Sequence, residues 1–181
     1  MKREDEKTLY VGFDESNHGK FPEIIVAVSS LIYSDISTKR MRGRDRMSKD
    51  EFFRFLKNPQ RSYNHTIVNE GRLDHGKNPL IEAAPKLLNT LIQEQRYQGI
   101  SSIDLIFDGE IRTNETGGLF KSIHLYLSPE ISVSYVCYPK SKKVAYAYPK
   151  ILVAADSVAH FLFREYSFME KIGAEKRRVE F

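Results

Sequence analysis

The chain has a single cysteine, Cys137, no apolar run as long as a membrane span, no internal repeat and no low-complexity tract. One thiol cannot build an internal disulfide framework, and it fits a reducing compartment. A transmembrane helix needs about 20 consecutive apolar residues, which excludes one here. The start, MKREDEKT, mixes both charge signs and leads into a strand, so it reads as neither a signal peptide nor a transit segment. The expectation is a cytoplasmic protein with no membrane contact. Gly117-Gly118 lacks the Lys and Ser or Thr of a phosphate loop, which ranks a nucleotide-handling ATPase last.

What is present fits one ordinary globular domain over residues 1–181, with 41% hydrophobic and 29% charged residues. The net charge of +4 is unevenly placed. Between Ser37 and Arg61 stand nine basic residues, including Arg40, Arg42, Arg44 and Arg46, against three acids, a surplus of six that leaves −2 for the rest. A basic insertion at about 37–61 is either an electrostatic footprint for phosphates or a solvated loop.

Alternating apolar residues predict a strand over Thr8 to Asp14, and the β-branched run IIVAVSSLIY a second over Glu23 to Ser34, joined by the turn ESNHGKFP. Ser48 and Glu51 have capping-box spacing ahead of a short helix, and Tyr63 to Asn69 reads as a third strand. Helical spacing predicts a helix from Pro79 to Gln98. SIDLIFDG reads as a buried strand, ETGGLFKSIHLYL as a short helix, ISVSYVCYP as a strand, and Pro149 to Lys171 as the last helix. The order β β β α β α β α is that of an α/β protein with a mixed sheet, antiparallel first and then parallel.

In such sheets chemistry collects beyond the carboxyl ends of the central strands. Asp14 and Glu15 end the first strand, Asp108 ends the fourth, and Asp156 interrupts an apolar helix in KILVAADSVAHFLF, with His160 one turn on. Each acid alone also has an ordinary reading, as turn chemistry or as a helix-dipole acid. Together they would repel one another unless a hard divalent cation neutralised them.

This element order, with GFDES at the first strand end, Asp108 on the fourth strand and Asp156 on the final helix, resembles the ribonuclease H-like superfamily. The Asp-Glu pair in particular resembles that of type 2 ribonucleases H. The resemblance implies a ribonuclease H-like mixed sheet flanked by helices and a cofactor of Mg²⁺ or Mn²⁺. It implies Asp14 as the ligand between two ions, Asp108 and Asp156 holding one each, and Glu15 as a further carboxylate. His160 would orient Asp156 or assist proton transfer; its ordinary reading is a packed structural histidine. The chain departs from type 2 ribonucleases H after the acid pair, where their Gly-Arg-Gly turn is replaced by SNHGK.

The implied function is a metal-dependent nuclease. Candidate phosphate contacts are His18 and Lys20 in that turn, Arg40, Arg42, Arg44 and Arg46, and the segment YPKSKKVAYAYPK. There Lys140, Lys142 and Lys143 interleave with Tyr146 and Tyr148, as a groove for single strands requires, unless the tyrosines simply pack a hairpin. The favoured activity is a 3′ to 5′ exonuclease on single-stranded DNA. Alternatives are an endonuclease on RNA–DNA hybrids, a junction resolvase, and a non-catalytic nucleic-acid-binding domain. A homo-oligomer would narrow the cleft and shift an endonuclease toward exonuclease action.

Overall fold

Large apolar residues alternate with Tyr10, Gly12 and Asp14, and Thr8–Glu15 accordingly forms the first strand, β1. The computed structural model describes residues 7–16, 22–37, 46–68, 78–138 and 148–179. β2 (Glu23–Ser30) pairs antiparallel with β1, and β3 (Arg61–Val68) antiparallel with β2. On the other side of β1 lie β4 (Ser102–Asp108) and β5 (Ser132–Tyr138), both parallel to it, giving the order β3-β2-β1-β4-β5. The mixed α/β sheet agrees with the sequence reading.

Side chains alternate across a strand, so each strand supplies two cores. Leu9, Val11 and Phe13, with Leu105 and Phe107, face helices α2 (Pro79–Ile92) and α3 (Thr113–His124). On this face the rings of Phe13 and Phe107 stack with centroids 5.0 Å apart. Tyr10, Val26, Val28 and Ile106 instead meet helix α4 (Lys150–Val179), beside which sits α1 (Lys49–Leu56). Helix α4 approaches β1 so closely that a Cβ on Gly12 would lie 3.2 Å from the backbone carbon of Ile151. Glycine there sets the depth of α4 on the sheet.

The capping box forms as expected: Ser48 Oγ accepts from the Glu51 amide at 3.3 Å, and the Glu51 carboxylate accepts from the Ser48 amide at 2.7 Å. The last helix runs on to Val179 rather than ending at Lys171, and two further boundaries differ for reasons visible in the side chains. β2 stops at Ser30, not Ser34, because Ser30 Oγ accepts the Ile32 amide at 3.0 Å and residues Tyr33–Asp35 turn as a short 3₁₀ segment. Helix α2 stops at Ile92, not Gln98; a second 3₁₀ turn, Gln95–Tyr97, buries Tyr97 and joins its hydroxyl to Ser29 at 2.6 Å. Among the described residues no helix is long and apolar enough to cross a membrane.

Candidate active site

The parallel register pairs Phe13 with Phe107, so the next residues, Asp14 and Asp108, stand side by side at the carboxyl ends of β1 and β4. Adjacent strands are about 4.8 Å apart. Both side chains lie on the α4 face, opposite the stacked phenylalanines. They are 2% and 9% exposed. Asp14 Oδ1 accepts the Glu15 amide at 2.8 Å, while Oδ1 of Asp108 is shut away from solvent. Gly109 follows with φ +112°, a conformation that favours glycine, and its amide bonds the Tyr138 carbonyl at 2.9 Å. The chain thereby turns away directly after Asp108, and among the described residues no atom lies within 4 Å of where a Cβ on Gly109 would stand.

Two buried carboxylates in one register row repel each other, and burial penalises both charges. An all-oxygen donor pair of this kind fits a hard divalent cation, which neutralises both. On the donor chemistry, Asp14 and Asp108 are the residues that would hold Mg²⁺ or Mn²⁺.

The other expected ligands are placed differently. Glu15 pairs with Ile25 whereas Asp14 pairs with Val26, so the pleat sends Glu15 toward the α2 face. Asp156, on α4, accepts from Arg46 Nε at 2.8 Å and Nη2 at 3.3 Å. Among the described residues no three His, Cys, Asp or Glu side chains are gathered closely enough to hold a metal. The structure thus brings Asp14 and Asp108 together and leaves Asp156 in an ion pair with a member of the basic segment. His160 lies next to that pair. Its pKa is lowered by burial and by the Arg46 and Arg164 charges, with Asp156 opposing them, so it resists protonation.

Of the candidate phosphate contacts, Arg46 and Tyr148 are described; His18, Lys20, Arg40, Arg42, Arg44, Lys140, Lys142, Lys143 and Tyr146 lie outside the described residues. The Tyr148 ring is 6.2 Å from that of Tyr138, which stands in register with Asp108. Two polar features escaped the sequence reading. Glu23 is 1% exposed at the start of β2, the same edge of the sheet as Asp14. Asp35 is 1% exposed and takes both arms of Arg61, at 2.6 and 2.8 Å. The signal for that pair is an acid just after one strand and an arginine opening the next, visible once β2 and β3 are known to pair.

No family model matches the chain, and no curated protein sequence does. Solved structures do. A mutant of Bst-RNase HIII superposes on 88% of this chain and 53% of its own, with TM-score 0.51 and 14% identity. RNase HII from Archaeoglobus fulgidus, solved in complex with PCNA, covers 91% of this chain and 78% of its own, with TM-score 0.50 and 16% identity. The chain spans about half the length of the first of these. Strand order, the flanking helices and these superpositions agree: the protein has a ribonuclease H-like fold.

Proposed function

We propose that the protein is a divalent-metal-dependent nuclease that hydrolyses phosphodiester bonds. The observation that carries this reading is the buried pair Asp14 and Asp108 at the carboxyl edge of adjacent parallel strands in a ribonuclease H-like sheet. Bound there, Mg²⁺ or Mn²⁺ would supply a water of lowered pKa and charge neutralisation at the phosphate. The chain's own contribution is to hold two buried oxygen donors at neighbouring strand ends and to turn away at Gly109.

The substrate reading favoured by the solved relatives, an RNase HII and an RNase HIII, is an RNA–DNA hybrid cut internally. The 3′ to 5′ exonuclease reading draws on the basic tyrosine-rich segment, of which Tyr138 and Tyr148 to Lys150 form the described part. Digestion of end-labelled hybrid, duplex DNA and single-stranded DNA with Mg²⁺, Mn²⁺ or EDTA separates the two. Internal cuts in the RNA strand, lost in EDTA and in Asp14→Asn, are expected. A ladder shortening from the 3′ end of single strands would move the assignment to the exonuclease. No cleavage of any substrate would reject the nuclease.

A further inference from the structure

An open cavity of about 700 Å³ lies between α1 and the first turns of α4. This is the size of a small-ligand site. Its wall carries four cations, Arg46, Arg54, Arg61 and Lys150, and two acids, Asp35 and Glu51. Both acids are already engaged, Asp35 by Arg61 and Glu51 by the Ser48 amide. Arg46 is engaged by Asp156. Arg54 and Lys150 are exposed, and among the described residues no carboxylate is bonded to either. Phe55 forms an aromatic wall, with the Arg61 guanidinium 4.3 Å and Lys150 Nζ 5.4 Å from its ring centre. The cavity is therefore a cationic recess with donors to spare.

Two further observations relate it to the acid pair. Tyr148 lines the cavity and its ring lies 6.2 Å from that of Tyr138, the register neighbour of Asp108, so this ring pair leads from the recess to the end of β4. Arg61 is in register with Ser30, and Ser30 with Tyr10, on the Asp14 face of the sheet. Four residues of β1 then separate the Arg61 level from Asp14, about 13 Å of strand rise, or about four base steps of one nucleic-acid strand. In addition, Ser37 and Arg46, both within the basic insertion, line this cavity.

We infer that the cavity binds phosphate groups, and that their source is the backbone of the strand cleaved at Asp14 and Asp108; this rests on the nuclease reading above. Lys150 and Arg54 are the exposed cations of the cavity to which, among the described residues, no carboxylate is bonded, Arg54 Nε donating to the Asp50 carbonyl at 3.4 Å, and neither belongs to the acid site.

The test is fluorescence anisotropy of a labelled short RNA–DNA hybrid in EDTA, with the full chain, comparing wild type with Arg54→Gln/Lys150→Gln. Both side chains are exposed, and thermal melting checks that the variant folds. Affinity is expected to fall about tenfold, with the slope of log K against log salt reduced by roughly two. Arg54→Lys/Lys150→Arg should restore most of both. Unchanged affinity and slope would overturn the inference. Inorganic phosphate and a nucleoside monophosphate are titrated in parallel. Their binding to wild type but not to the Gln variant, with hybrid affinity unchanged, would overturn the strand as the source. Weakened hybrid binding in the variant, with no cleavage by wild type in Mg²⁺, would support the cavity and reject the nuclease instead.

Discussion

Phe13 and Phe107 are stacked core residues; Asp14 and Asp108, one step along the same two strands, are a buried acid pair. The difference is which way the pleat points. On the α2 and α3 side the strands meet a continuous apolar surface, and each ring adds burial. On the α4 side the sheet is covered around Gly12 by Ile151, and the last α4-facing residues of β1 and β4, Asp14 and Asp108, carry charge. Both faces supply an apolar core, and the α4 face also carries the buried acid pair at its carboxyl edge.

The largest expected effect breaks the phenylalanine face. Phe13→Ala removes half of a stacked pair that is fully buried, at a cost of about 3–5 kcal/mol, which for a chain of this size lowers Tm by about 10 °C in a thermal melt. The second change acts on the charged face with the opposite sign. Asp14→Asn should raise Tm in EDTA, by relieving like-charge repulsion, while lowering kcat on the hybrid on the order of 100-fold or more. Stabilisation by added Mg²⁺ should vanish with it. A lower Tm in EDTA would show that the pair is not under repulsive strain.

Gly12→Ala comes next. The new Cβ would press on Ile151, including its backbone, so α4 must shift, at about 1–3 kcal/mol. Urea denaturation measures this. A smaller effect is expected from Arg46→Ala, because the Asp156 pair is partly exposed and such pairs contribute about 0.2–1 kcal/mol. The smallest is a pH dependence. The folded pKa of His160 is depressed, so its contribution is present above the unfolded value near 6.5 and is lost as pH falls toward and through the folded pKa. Melting curves between pH 7 and 5 should therefore fall less steeply in His160→Gln.

Much of this contrast was legible in the sequence. Alternation along LYVGFD and IDLIFD gave the strands, and two acids at two strand ends marked one edge. The expectation that Glu15 shares a site with Asp14 did not allow for the period of two, which parts neighbours on a strand. The place of Asp156 depends on Arg46, 110 residues away in the chain, and no local pattern encodes such a pair. The Asp35 and Arg61 pair was hidden for a related reason: it follows from the β2 and β3 register, and the apolar run through Tyr33 masked the end of β2. Residues 139–147 of the lysine and tyrosine segment lie outside the described residues.

The most direct measurement is Mn²⁺ binding followed by electron paramagnetic resonance in wild type, Asp14→Asn and Asp108→Asn. Wild type should bind Mn²⁺ in competition with Mg²⁺, and each single substitution should abolish or severely weaken that binding, because one ion needs both carboxylates. Wild-type affinity in either variant would contradict a shared metal site on the two strand ends.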